Sequence, residues 1–165
     1  MRRSVRLLDE AWERVASRIR TPRALRVARV LDRAGGGAPN AVALSGLVLL
    51  AFVREGRRRG IVTGLIALAA IPLVPAVKRL VGRARPTDQL VAVPPGTFPS
   101  GHATSAALLA VGTVRLAGRR WPWALAVLWM TAMDLSRTVL RVHWLTDVLA
   151  GSLLGSALAL LVEAL

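Results

Sequence analysis

The chain has two histidines, and each stands among residues suited to phosphate chemistry. The stretch from Ser136 to Asp147 reads SRTVLRVHWLTD, with Arg137 and Arg141 upstream of His143 and Asp147 four residues beyond it. If the chain is helical from Trp144 onward, His143 and Asp147 share a face. The carboxylate can then accept the Nδ1–H of the imidazole and leave Nε2 as an oriented lone pair. A held imidazole beside arginines suits attack on phosphorus. His102 lies in Phe98-Pro99-Ser100-Gly101-His102, directly before an apolar run. There Ser100 is a natural N-cap, Gly101 lets backbone N–H groups approach an anion, and the helix N-terminus adds positive potential. A third cluster, KRLVGRARP, places Lys78 and Arg85 seven apart. On a continuing helix both point the same way across Gly82, and Pro86 ends the helix. An arginine can grip a phosphate with two parallel bonds, with the lysine as a point charge. Each cluster has a plainer reading when taken alone: interfacial anchors, an ordinary helix cap, a polar patch at a helix junction. Against the last, an aspartate in an apolar segment is costly without a partner, and His143 is that partner.

The elements that must position these clusters are apolar. The 165 residues suit one domain, 54% are hydrophobic, and mean hydropathy is +0.50, yet the net charge is +14. That pairing fits membrane spans with arginine-rich connections resting on anionic lipid. Nucleic-acid binding is disfavoured, because the arginines punctuate apolar runs and the chain has two phenylalanines and no tyrosine. The absence of cysteine excludes disulfides and thiol catalysis. Lys78 is the single lysine against 22 arginines. Residues 1–34 are expected to form one amphipathic helix, with Val5, Leu8, Trp12, Val15 and Ile19 at spacings of three and four, lying along the membrane interface. Gly35-Gly36-Gly37 and Pro39-Asn40 should break it. Five apolar segments follow, at about 41–53, 60–77, 103–117, 121–135 and 144–165. Several fall short of the ~20 residues of a span but can recruit flanking residues. Pro72 and Pro75 should kink the second. Gly60/Gly64 and Gly151/Gly155 are small-residue pairs that permit close helix packing and would let a second copy associate. Trp121, Trp123 and Trp144 sit where interfacial anchors would. The expected architecture is therefore an all-α integral membrane bundle in a single domain, with a transmembrane core over 38–165. Five crossings put the loop Lys78–His102 and the turn Ser136–His143 on one face. Arg54, Arg57, Arg58, Arg59, Arg115, Arg119 and Arg120 then lie on the other.

Read in order, the clusters are Lys-x6-Arg-Pro, Pro-Ser-Gly-His and Ser-Arg-x5-His-x3-Asp. This resembles the phosphatidic acid phosphatase type 2 superfamily, whose members include lipid phosphate phosphatases, bacterial acid phosphatases and vanadium haloperoxidases. All three motifs are complete between Lys78 and Asp147, and the apolar segments match the membrane branch. Arg141 departs from the pattern, since many members carry glycine there. The resemblance implies that His143 is a nucleophile forming a phosphohistidine, oriented by Asp147. It implies that His102 protonates the leaving group and later activates water. Lys78, Arg85, Ser100, Gly101 and Arg137 would neutralise the phosphoryl oxygens. No metal or other cofactor is expected, and Asp88 and Asp134 stand apart from any carboxylate cluster.

Thr87 to Thr97 is too short a connection for a lid domain, so the site should open near the lipid headgroups. The expected substrate is a lipid-linked phosphate: a polyprenyl phosphate or diphosphate, a polyprenyl phosphosugar phosphate, phosphatidic acid or phosphatidylglycerol phosphate. Such a protein would belong to a bacterial plasma membrane and to cell-envelope synthesis. Leaving out Arg85, Arg137 and Arg141, twelve arginines on the active-site side against seven opposite lean that side towards the cytoplasm. A non-catalytic lipid-phosphate binder and a vanadate-dependent haloperoxidase are the rival readings. The haloperoxidases are larger and soluble, and a silent binder would be free to lose the histidines and the aspartate.

Overall fold

A computed structural model describes residues 3–118 and 122–165, so Arg119, Arg120 and Trp121 lie outside the described residues. All regular structure among the described residues is helical: α1 Arg3–Ile19, α2 Pro22–Ala34, α3 Gly37–Val81, α4 Gly101–Ala117, α5 Pro122–Val139 and α6 Leu145–Ala164.

The amphipathic N-terminus is two helices, not the single one expected. Thr21 accepts the amide of Ala24 on its side chain, and Pro22 follows in the first turn, where a missing N–H costs nothing. The side of α1 that meets the protein carries Asp9 and Ala16. Leu8, Val15 and Ile19 of the apolar stripe stay exposed, as do Val27 and Val30 of α2. An apolar stripe free of protein contact is what an interfacial helix offers to lipid.

Helix α3 holds 45 residues, and a straight helix of that length would span ~68 Å, over twice the ~30 Å hydrocarbon core. It is broken at Gly56, whose φ of 84° and ψ of −176° only glycine adopts readily. A Cβ on Gly60 would strike the Phe52 ring, and one on Gly64 would lie 3.5 Å from Val48 Cγ1. Those pairs run antiparallel, so residues 37–55 and 57–81 fold as a hairpin with Arg54, Arg57, Arg58 and Arg59 at its tip. Pro39 and Asn40 fall inside the first turn of α3 rather than in a linker, and the chain stays helical through Pro72 and Pro75. By length and hydropathy α3 and α6 qualify as spans, while α4 and α5 have 17 and 18 residues.

Helix α4 is the centre of the bundle. Its Leu108 and Val111 meet Ile66 and Ala67 of α3 and Ala159 and Val162 of α6. The α6 glycines make that contact close: a Cβ on Gly151 would sit 2.5 Å from the Ser100 carbonyl, and one on Gly155 2.1 Å from the Thr104 carbonyl. Both small-residue pairs thus pack within the chain, contrary to the expectation that they present a face to a second copy. At the end of the bundle away from the histidines, Arg59 donates to the Val162 carbonyl of α6 and Arg58 to that of Leu165 just beyond it, and Arg115 pairs with Glu163. Cations at a helix C-terminus complement its dipole. The outward surfaces of the helices carry Leu49, Leu68, Ile71, Leu128 and Leu153, as lipid contact requires.

Candidate active site

The histidine-bearing end is built from the loop 82–100, the turn 140–144 and the starts of α4 and α6. Gly82, at φ 58°, ends α3 by donating its amide to the Lys78 carbonyl. Arg85 is therefore in the loop and not on a continuing helix, as its spacing from Lys78 suggested. The loop nevertheless folds back: Thr97 N donates to Arg83 O at 3.2 Å and Leu90 N to Leu140 O at 3.0 Å. Leu90, Val91 and Val93 pack against Ala28, Val139, Leu140 and Val142. The result is a cavity of about 610 Å³ lined by Lys78, Arg85, Gly101, His102, Arg137 and His143, with prolines 75, 94 and 95 on its walls.

Lys78 Nζ donates to the carbonyls of Gly96 and Thr97 at 3.2 and 3.3 Å, which leaves one of its three N–H groups for a ligand. Arg85 bonds Pro94 O and Val142 O, and its Nη1 lies 3.5 Å from His143 Nε2. A guanidinium can only donate, so Nε2 carries the lone pair and Nδ1 the proton. Burial pushes the His143 imidazole down to about 4, the charges of Lys78 and Arg85 adding to the effect against the pull of Asp147. The ring is a neutral nucleophile at neutral pH.

Asp147 stands behind it as expected, within ion-pair distance rather than in a direct hydrogen bond. Asp147 Oδ2 is 3.6 Å from His143 Nδ1, too far for a hydrogen bond. Trp144 is the N-cap of α6, so His143 precedes the helix and its i, i+4 contact with Asp147 is stretched. Thr97 fills the gap: its Oγ1 is 3.0 Å from Nδ1 and donates to Asp147 Oδ2 at 2.5 Å. Since Thr97 donates to the carboxylate, it accepts from Nδ1–H. Asp147 also accepts the Trp144 amide at 2.8 Å and Arg83 Nη1 at 2.5 Å, and is wholly buried. Arg83 in turn pairs with Asp9 of α1, and Asp9 accepts the amide and hydroxyl of Thr146 at 3.0 Å.

Ser100 caps α4 as expected, its Oγ accepting the Ala103 amide at 3.4 Å. It is fully buried and absent from the cavity wall, so its direct place there is taken by Gly101. The Thr104 amide goes to the Ser100 carbonyl, and the amides of Gly101 and His102 have no acceptor among the described residues. Such amides are anion ligands. Arg137 is 1% exposed; its Nη1 donates to Asp32 of α2, and its buried Nε–H has no partner among the described residues. His102 Nε2 lies 3.1 Å from the Asp32 carbonyl. Arg141 adopts φ 58°, the left-handed conformation that explains glycine at this position elsewhere. Here Glu13 at 3.4 Å and Asp88 at 3.7 Å hold its guanidinium.

Of the residues singled out by sequence, Lys78, Arg85, Gly101, His102, Arg137 and His143 share the cavity, with Asp147 behind His143 and Ser100 behind Gly101. Thr97, Arg83, Asp9 and Asp32 were not among them. The signal for Arg83 and Asp9 was burial of opposite charges far apart in sequence, which only the fold supplies.

Cations, free amides and two imidazoles converge on one cavity suited to a phosphate ester, and an all-helical membrane bundle with such a site is of the lipid phosphate phosphatase class. The sequence gives the family: the PAP2 superfamily model matches residues 59–164, and the chain belongs to that superfamily. It is 35% identical over 147 residues to the decaprenylphosphoryl-5-phosphoribose phosphatase of Mycobacterium tuberculosis, covering 86% of this chain and 80% of that one. It is 33% identical over 120 residues to the undecaprenyl-diphosphatase of Sulfolobus acidocaldarius, covering 68% and 58%. The fold matches the crystal structure of the transmembrane PAP2 type phosphatidylglycerolphosphate phosphatase from Bacillus subtilis with a TM-score of 0.84 at 26% identity, over 99% of this chain and 86% of that one.

Proposed function

We propose that the chain hydrolyses the phosphomonoester of a polyprenyl-linked sugar phosphate, without a metal, through a phosphohistidine on His143. The observation that carries this is His143 itself, with Nε2 free towards the cavity cations and Nδ1–H tied through Thr97 to a buried carboxylate. Nε2 attacks phosphorus, and the bond from phosphorus to the leaving oxygen breaks as that oxygen takes a proton from His102. Charge on the transferring group is met by Lys78, Arg85, Arg137 and the amides of Gly101 and His102. His102 then takes a proton from water, the water oxygen attacks phosphorus, and the phosphorus–nitrogen bond breaks to free inorganic phosphate. The positive charge on His143 in the intermediate is stabilised by Asp147 through the Thr97 hydroxyl.

The sugar-phosphate substrate rests on the likeness to the mycobacterial protein. A polyprenyl diphosphate is the second reading, favoured by the archaeal relative. Purified protein in detergent, given each of these, phosphatidic acid and phosphatidylglycerol phosphate side by side in EDTA, should release phosphate fastest from the polyprenyl sugar phosphate. Vanadate should inhibit. Faster release from a glycerolipid would overturn the substrate assignment. Binding without release from any of the four would favour the non-catalytic reading.

The N-terminal helices sit at the active-site end, through Asp9 with Arg83 and Asp32 with Arg137. Their arginines therefore count on that side, which we assign to the cytoplasm. Labelling of a cysteine placed at Thr87 by an impermeant reagent applied from outside intact cells would reverse the assignment.

A further inference from the structure

Residues 59–164 account for the family match, and Asp32 lies outside them, on a helix that sequence places at the membrane surface. Yet Asp32 reaches two members of the phosphate site. Its Oδ1 accepts from Arg137 Nη1 and is 3.6 Å from His102 Nε2, and its carbonyl is 3.1 Å from that nitrogen. The approach is made possible by Gly35 and Gly36. A Cβ on Gly36 would lie 3.0 Å from His102 Nε2, and one on Gly35 2.4 Å from Met133 Cε. Helix α2 is further tied down by Ala28 against Val139, Leu140 and Val142.

We propose that Asp32 is a positioning residue for proton transfer by His102, which makes the N-terminal helices part of the catalytic unit. The inference rests on the phosphatase reading above. A carbonyl can only accept, so His102 carries its hydrogen on Nε2, and Nδ1 is the nitrogen that exchanges a proton with the leaving oxygen and later with water. To act as an acid the ring must be an imidazolium. The charged groups facing it are Asp32 from α2, Arg137 from α5 and Lys78 from α3. Two are cations that oppose a third positive charge. Asp32 is the one anion, and it offsets both the imidazolium and Arg137. Each histidine therefore has its own aspartate: Asp147 behind the nucleophile and Asp32 behind the acid.

The test separates proton donation from general integrity by leaving group. Wild type, Asp32→Asn and His102→Ala are assayed in detergent for release of the leaving group in the first turnover, before water enters, on an alkyl lipid phosphate, whose alkoxide needs a proton, and on p-nitrophenyl phosphate, whose phenolate leaves without one. Asp32→Asn should slow the alkyl substrate at least ~10-fold, within the 10²–10⁴-fold range of general acid catalysis, and the aryl substrate by less than ~3-fold. His102→Ala should show the same selectivity more strongly. Equal losses on both substrates would reduce Asp32 to a structural contact, and unchanged or faster alkyl hydrolysis would refute the role outright. The aryl rate also reports folded sites, so a misfolded variant registers as an equal loss. If wild type hydrolyses neither substrate while His143 is intact, it is the phosphatase reading that fails, not the place of Asp32 within it.

Discussion

Thr97→Val removes one hydroxyl and keeps the shape of the side chain, and its consequences can be worked from distances. In the native site Thr97 Oγ1 joins His143 Nδ1 at 3.0 Å to Asp147 Oδ2 at 2.5 Å. Valine leaves Nδ1–H facing a carboxylate 3.6 Å away, beyond hydrogen-bond reach, with Asp147 held by Arg83 and the Trp144 amide. The bond lost involves a charged acceptor in a buried site, worth about 1.5–3 kcal/mol. Most of that should appear in the phosphorylation step, where the imidazole gains positive charge, so kcat should fall ~10–150-fold. KM should change little, because Thr97 does not line the cavity. Stopped-time phosphate release over a range of lipid phosphate concentrations measures both. Wild-type kcat in Thr97→Val would show that Asp147 reaches His143 unaided and refute the interposed hydroxyl. A loss equal to that of His143→Ala would refute it the other way, since orientation of the ring is only part of its contribution.

Asp9→Asn leaves Arg83 short of one carboxylate in a buried chain of charges. It should lower stability by ~3 kcal/mol, read by thermal unfolding in detergent, and expose α1 to protease. Arg141→Gly relieves a left-handed residue, worth about 1 kcal/mol, at the expense of two partly exposed ion pairs worth up to about 1 kcal/mol each. The glycine variant should match wild type in melting temperature, and Arg141→Ala should melt lower. For pH, His143 must be neutral to attack, and its value of about 4 lies below the ordinary 6.5. The acid limb of kcat/KM set by the nucleophile should therefore fall near pH 4 to 5, and one at 6.5 would contradict the burial argument. The same depression means that His143 contributes stability above pH 6.5 that is lost as pH falls towards 4.

What sequence made legible follows from range. The helices could be read because apolar runs are local, and Ser100 and Gly35 punctuate them as caps, whereas α3 stops at Gly82 and does not continue to Pro86. The histidines and cations could be read because their types are rare in apolar surroundings and their spacings are short. Thr97 gave no signal, because a threonine before Phe98-Pro99 is unremarkable until the loop folds its hydroxyl between His143 and Asp147. Arg83 looked like one more interfacial cation among 22 arginines, and only the fold brings Asp9 to it across 74 residues. Asp32 was hidden in the same way, on a helix whose composition speaks of lipid. His143 and Asp147 do meet as their spacing suggests, but His143 stands one residue before the N-cap, where backbone geometry changes, and the contact stretches past a direct hydrogen bond.

The central claim is that phosphorus passes through Nε2 of His143. Incubating His102→Ala protein with p-nitrophenyl phosphate labelled in the phosphoryl group, whose leaving group needs no acid, then quenching in alkaline detergent, tests it most directly. With dephosphorylation slowed by the missing base, label should accumulate on the protein, survive alkali, be lost in mild acid, and map to the peptide containing His143. It should be absent when His143 is also replaced by alanine. Label that persists without His143, or steady phosphate release with no labelled protein at any time, would contradict the account.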